Sequence, residues 1–244
     1  MLTEPTVAKL NDMKLYGMAN AYDRQRQDPS FLELSFDERF AMLLENEWHD
    51  RQNRAYDRRI HAANLKHSTA SIEDIDWQSD RNLKRPVIER LADTDWIRYG
   101  QNVILTGSTG LGKTWLACAI ARKACMDGFK VLYLHTPKLF RDLLDAEISG
   151  DLSKYLRKLS RPDVLLIDDW GLAQVKQGQY RSIFELLEAR QGKSHIITSQ
   201  FPSTIWHDVI GDETVADAIL DRLVHNAHNL NLKGDSMRKN NKPH

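Results

Sequence analysis

The sequence predicts an α/β fold, a three-layer sandwich around a parallel sheet, preceded by a small helical N-terminal domain. Three observations predict it. Short, β-rich and nearly continuously apolar runs recur at 102–106, 131–134, 164–167 and 196–198, which suits strands buried on both faces. Helical stretches at about 137–147, 151–160, 178–191 and 214–227 separate or follow them. Residues 1 to about 80 instead carry helical periodicity and little else.

The first strand leads into Gly107-Ser108-Thr109-Gly110-Leu111-Gly112-Lys113-Thr114, which fits the phosphate-loop pattern G-x-x-x-x-G-K-[ST] at every fixed position. A helical run opens directly after it at Trp115. In that strand–loop–helix setting the backbone N–H groups from Gly107 to Thr114 wrap phosphates, and the helix N-terminus favours their negative charge. Lys113 is expected to reach the β- and γ-phosphates of ATP, and the Thr114 hydroxyl to hold Mg²⁺.

The third run, Val164-Leu165-Leu166-Ile167, ends in Asp168-Asp169. A carboxylate at a strand tip beside a phosphate loop is a magnesium ligand, so Asp168 takes that role. Asp169 is placed to polarise the attacking water as general base. Where many such ATPases carry Glu at the second acid, this chain carries Asp, a methylene shorter, and slow turnover is the expected consequence. Thr198-Ser199-Gln200 ends the next strand. Gln200 is the first candidate for a γ-phosphate sensor and Ser199 the second, against a plain polar strand end. Farther on, Arg222 sits on an amphipathic helix. It is either an arginine finger for a neighbouring subunit's ATP or a salt-bridge partner of Asp221 or Asp217.

In the N-terminal region Leu10, Met13, Leu15 and Met18 are spaced to line one side of a first helix, and Phe36, Phe40, Leu43 and Leu44 one side of a second. Asp28-Pro29-Ser30 breaks between them. The expected organisation is a helical domain for DNA or partner binding over 1–80, a connector over 81–101, an ATPase domain over 102–239 and a tail at 240–244.

Two basic clusters bear on nucleic acid. Over 51–67, Arg51, Arg54, Arg58, Arg59 and Lys66 stand against Asp57, and Arg51, Arg54 and Arg58 share a helical face. The segment between the second and third strands is longer than one crossover helix requires. There Lys154, Arg157, Lys158 and Arg161 follow i, i+3, i+4, i+7 spacing. Either face is a solvated surface or a set of phosphate contacts, which position a protein on duplex DNA without reading its sequence.

Composition narrows the remaining possibilities. The 34 basic and 34 acidic side chains cancel, so whole-chain charge says nothing about a DNA partner. Cys118 and Cys125, the only cysteines, are expected on one buried helix face, which excludes a disulfide framework or a zinc finger and suits a reducing cytoplasm. No run of about 18 apolar residues and no signal peptide is present, so a soluble cytoplasmic protein is expected. His225 and His228 share helical spacing without the surroundings of a metal site. Trp115, Trp170 and Trp206 are expected in packing.

These parts together resemble the AAA+ ATPases of the DnaC and IstB group, with a close similarity to IstB, the helper ATPases of insertion-sequence transposition. The resemblance is carried by the phosphate loop, by 165–172, 196–200 and 216–228, and by the tail Leu232-Lys233-Gly234-Asp235-Ser236-Met237-Arg238-Lys239. It implies an AAA+ P-loop fold, ATP and Mg²⁺ as cofactors, and Arg222 acting in trans. It also implies an ATP-dependent homo-oligomer on duplex DNA and a separate transposase as client. A replicative helicase loader, with the same chemistry and another client, is the alternative enzyme; a DNA-binding scaffold with negligible hydrolysis is the alternative of another class. A lid-borne second sensor has only Arg238 as a candidate.

Overall fold

The computed structural model describes residues 3–79, 81–172 and 179–237. Arg238, the 240–244 tail and the predicted helix start at 178 lie outside the described residues. The chain divides into two compact units, Met1–Arg58 and Arg59–His244.

In the first unit, α1 (Thr3–Asp12) and α2 (Tyr16–Gln27) are followed by the long α3 (Phe36–Ala63), which continues into the second unit. The single first helix expected around Leu10–Met18 is broken, because Lys14 adopts a left-handed φ of 60° and the chain turns there. Gly17 then lets α2 approach α3 closely: a Cβ on it would lie 2.6 Å from the Asn46 carbonyl oxygen. The expected apolar side of α3 is largely open, with Phe36, Phe40 and Leu44 exposed by 70%, 45% and 49%. Phe36 and Phe40 stack on each other at 5.9 Å between ring centroids.

After the end of α3 and a short 3-10 turn at Ile72–Asp74, the second unit carries α4 (Arg85–Ala92) and the short α5 (Asp95–Arg98). The sandwich follows as β1 (Asn102–Thr106), α6 (Lys113–Met126), β2 (Val131–His135), α7 (Thr136–Ile148), α8 (Leu152–Ser160) and β3 (Val164–Trp170). It continues with α9 (Gln179–Glu188), β4 (Ser194–Ser199), α10 (Trp206–Ile210), α11 (Glu213–Val224) and β5 (Ala227–Asn231). The sheet order is β2-β3-β4-β1-β5, with every neighbouring pair parallel.

The expected runs are therefore strands, and three are buried on both faces, with Val103, Ile104, Leu105, Val164 to Ile167, Ile196 and Ile197 fully enclosed. The run at 131–134 is instead the edge strand β2, where only Val131 is buried. Burial of each such side chain is worth about 1.5–3 kcal/mol. Cys118 and Cys125 lie on the buried side of α6 as free thiols. Two helices, α7 and α8, occupy the long β2–β3 connection.

One element differs from expectation. The last helix stops at Val224, and residues 227–231 form an edge strand beside β1. His228 is consequently a strand residue, its Nε2 2.8 Å from Gln101 Oε1, and not one of a helical histidine pair. The run Ala-His-Asn-Leu-Asn is polar because only Leu230 faces the interior fully.

Candidate nucleotide site

In a parallel sheet the crevice lies beyond the carboxyl ends of the strands, and the residues singled out above gather there. Gly107 follows β1, His135 ends β2, Asp168 and Asp169 lie near the end of β3, and Ser199 and Gln200 close β4. A cavity of about 720 Å³ is lined by Thr109, Gly110, Gly112, Lys113, Thr114, Trp115, Asp169 and Gln200, together with Lys66, His67, Asp74, Asp76, Arg81 and Met237. Gly107 and Ser108 line an adjoining cavity with Gln200.

The loop has the left-handed backbone that its glycines permit, with φ of 140° at Gly107, 90° at Gly110 and 81° at Gly112. Lys113 Nζ donates to the carbonyl oxygens of Gly107 at 2.7 Å and Ser108 at 2.9 Å, which brings the ammonium back across the loop mouth. Leu111 is 1% exposed and anchors the loop in the core.

Asp168 is fully buried, so its carboxylate requires donors. Oδ1 accepts from Thr114 Oγ1 at 2.8 Å and from Thr198 Oγ1 at 2.6 Å. Oδ2 accepts from the Tyr133 hydroxyl at 2.8 Å, and Lys66 Nζ lies 3.8 Å away. Burial first, and then the negative charge of Asp168, raises the Tyr133 pKa, so the phenol stays a donor. A carboxylate and a threonine hydroxyl side by side beneath a phosphate loop are hard oxygen donors, a set that fits Mg²⁺.

Asp169 has a different backbone from its neighbour. Its φ is +61°, the β3–β4 register shifts between Ile167 and Trp170, and its N–H donates to Thr198 Oγ1 at 2.9 Å in place of a ladder bond. The bulge turns the second carboxylate out of the sheet, where Oδ2 lies 3.4 Å from His135 Nε2. Thr198 thus serves both acids. Gln200 lines the cavity with Lys113 and Asp169, whereas Ser199 is fully buried and donates to the Trp170 carbonyl at 2.9 Å. The second-choice sensor is therefore a structural hydroxyl.

Of the tryptophans expected in packing, Trp170 and Trp206 are buried with centroids 5.8 Å apart, but Trp115 is half-buried and lines the nucleotide cavity.

Arg222 lies elsewhere. Asn102, the first residue of β1, donates from Nδ2 to the Arg222 carbonyl at 2.8 Å, so this arginine sits at the amino end of the sheet. Its own phosphate loop is at the other end, about 17 Å away along a five-residue strand. Its partner is Glu188 on α9, not Asp217 or Asp221, and its guanidinium also lies 4.8 Å over the Phe184 ring.

The two basic clusters fare differently. On α3, Arg51 Nε donates to Glu47 at 2.6 Å and Arg54 pairs with Asp50 at 2.8 Å, while Arg58 is exposed. Two members of that run belong to the second unit's interior chemistry: Arg59 Nε donates to the Cys125 carbonyl at 2.8 Å, and Lys66 approaches Asp168. By contrast Lys154, Arg157, Lys158 and Arg161 are all exposed and line one concavity with Asp145, Ser149, Asp151 and Tyr155. The end of α8 is held by Arg190 Nη1, which donates to the carbonyls of Leu159 at 3.0 Å and Pro162 at 2.8 Å.

Sequence reasoning missed Arg81, Tyr133 and His135 and gave the site's Lys66 and Thr198 other places, in a basic cluster and a polar strand end. His135 and Thr198 lie at or next to strand ends, a placement the strand pattern already contained, whereas Tyr133 is the middle residue of β2.

A parallel sheet with a phosphate loop after β1 and paired acids at the tip of β3 defines an ATP-binding P-loop protein of the AAA+ ATPase class. The solved structures agree on the fold. DnaI superposes with a TM-score of 0.58 at 22% identity, over 68% of this chain and 92% of that one. AMPPCP-bound DnaA from Aquifex aeolicus gives 0.56 at 19%, over 69% and 52%.

The chain belongs to the family described as IstB-like ATP binding protein, which it matches over residues 8–244. Its relatives are named for insertion sequences and ATP binding. The protein y4pL of Sinorhizobium fredii is 44% identical over 241 residues, 98% of each chain. The IS1162 protein of Pseudomonas fluorescens is 41% identical over 205 residues, 84% of this chain and 89% of that one. The IS21 protein of Pseudomonas aeruginosa is 35% identical over 207 residues, 84% and 78% respectively. Among the described residues no helix is long and apolar enough to cross a membrane.

Proposed function

We propose that this protein hydrolyses ATP to ADP and phosphate while assembled as a homo-oligomer on duplex DNA, and that the assembly assists a separate transposase. The observation that carries this reading is the opposition of Arg222 and Lys113 across the sheet. An arginine at the far end from its own phosphate loop can act on a nucleotide only if another subunit supplies that nucleotide.

In this reading Gly107 to Thr114 cradle the phosphates and Lys113 swings from the loop carbonyls to the β- and γ-oxygens. Thr114 and Asp168 hold Mg²⁺, which when bound neutralises charge developing on the transferred phosphoryl group. Asp169 orients and deprotonates the attacking water, Gln200 senses the γ-phosphate, and a neighbour's Arg222 stabilises the transition state. Lys154, Arg157, Lys158 and Arg161 contact DNA phosphates from α8, with Arg51, Arg54 and Arg58 of the 1–80 region as a second contact. The insertion-sequence names of the relatives support a transposase as client over a replicative helicase.

The test is co-sedimentation of the protein with duplex DNA and the transposase of the same element, with ATP, with ADP and without nucleotide. A ternary complex should form with ATP alone and be lost in Lys113→Ala. Complex formation that ignores the nucleotide would sink the coupling.

A further inference from the structure

One buried cation near this site has no role in the scheme above. Arg81 is only 4% exposed, and among the described residues its Nε meets no acceptor. Its side chain makes one hydrogen bond, from Nη2 to the Asp76 carbonyl at 2.8 Å. Nη1 rests over the phosphate loop, 3.3 Å from where a Cβ on Gly112 would stand. Gly112 is the N-cap of α6.

Two features of this placement are unfavourable for the protein by itself. A helix N-terminus carries partial positive charge, so a guanidinium beside it is repelled. A buried guanidinium whose Nε meets no acceptor has lost hydration there that nothing among the described residues replaces. Asp74 and Asp76 line the same cavity, and the Asp76 carboxylate, which accepts from the Gln78 N–H at 2.9 Å, attracts Arg81 without hydrogen bonding to its Nε. An anion bound between the loop and Arg81 reverses both terms.

We infer that Arg81 is a ligand of the nucleotide's phosphate chain, brought to the loop from outside the strand–loop–helix motif. This rests on the nucleotide reading of the cavity. The backbone around Arg81 holds it in place: its carbonyl accepts from Lys233 N–H at 3.1 Å, and Asn82 Nδ2 donates to the Asn231 carbonyl at 3.0 Å. A nucleotide that engages Arg81 is therefore also linked, through Arg81 and Asn82, to Asn231 and Lys233. The contact is shared by ADP and ATP, unlike one made to the γ-phosphate.

The experiment is titration of the full chain with fluorescent ADP and ATP, and competition by inorganic tripolyphosphate, for wild type, Arg81→Gln, Arg81→Lys and Lys113→Ala. Arg81→Gln should lose tenfold or more in affinity for all three ligands. Its unfolding midpoint without ligand should match or exceed that of wild type, because a costly buried charge is gone, while the upward shift produced by ADP shrinks. Arg81→Lys should fall between. Affinities within twofold of wild type would overturn the inference. So would a loss for ATP unaccompanied by one for tripolyphosphate, since the contact would then be to base or ribose. A lowered ligand-free midpoint in both Arg81 variants, with the ADP-induced shift intact, would make Arg81 a packing residue. If Lys113→Ala binds all three ligands like wild type, the failure lies with the site itself and not with Arg81.

Discussion

Arg222 is held by Glu188: its Nε donates to a carboxylate oxygen at 2.6 Å and its Nη2 reaches the same oxygen. The pair links α11 to α9 and points the guanidinium along its own subunit. If Arg222 acts on a neighbour's ATP, it must first leave Glu188, and Glu188 would then compete with that contact. Arg222→Ala should bind ATP almost normally and hydrolyse it poorly. Fingers of this kind are worth about 10³- to 10⁵-fold in well-studied enzymes, and a smaller loss is expected here if turnover is slow, as expected above from Asp169. Mixing Arg222→Ala with Lys113→Ala subunits should restore some turnover, since mixed interfaces join an intact finger to an intact loop. Glu188→Gln should lower the protein concentration at which turnover becomes cooperative. A mixture that stays inactive would return Arg222 to a purely structural role.

Asp169→Asn should retain ATP and stop hydrolysis. Asparagine tolerates the same left-handed backbone, and the ligand set of Thr114 and Asp168 is untouched. Single-turnover rates at the wild-type level would remove Asp169 from the reaction.

Thr198→Val removes a donor to Asp168 and the acceptor of the Asp169 N–H in one substitution. Each orphaned buried group costs about 1–3 kcal/mol. The variant should lose stability by an amount of that order and turnover by more than its ATP affinity. Denaturant unfolding alongside steady-state kinetics separates the two effects.

Acid should destabilise the second unit through His195. Burial first, and then the nearby Arg190 charge, holds its pKa well below the usual value. The ring is therefore neutral when folded, with Nε2 accepting from Arg190 Nε at 3.0 Å. The unfolded chain binds a proton near pH 6.5 that the folded chain refuses. Stability from this residue is full above pH 6.5 and falls below it by up to about 1.4 kcal/mol per pH unit. His195→Gln should flatten that part of the pH profile of unfolding. An unchanged slope would show that His195 does not govern it.

DNA affinity should fall by orders of magnitude between about 50 and 200 mM salt if several phosphates per subunit are neutralised. Reversing Arg157 and Lys158 to Glu should weaken all duplexes alike. A loss confined to one sequence would count against α8 as a phosphate-contacting face.

Local pattern made most of this legible in advance. Four of the five strands, the loop and the acid pair are contiguous in the chain, and each rests on burial or backbone rules that act over a few residues. What escaped was non-local or polar. Strand β5 has one fully enclosed side chain, so its sequence lacks the apolar run that marked the others. Glu188 and Arg222 are 34 residues apart, and Arg81 reaches the loop through contacts with Asp76 and Lys233. The break at Lys14 needed a non-glycine residue at positive φ, for which lysine gives no signal.

Gly110 illustrates how a fold narrows a motif. In G-x-x-x-x-G-K-[ST] it is a free position, and a pattern search scores alanine there as neutral. In this protein its φ is +90°, its carbonyl accepts the Met237 N–H at 2.9 Å, and Ser236 fills the space a Cβ would need. A wildcard of the short code is thus made a strict letter by a segment more than a hundred residues downstream. Alignments of phosphate loops taken out of their folds will understate how little this loop can vary.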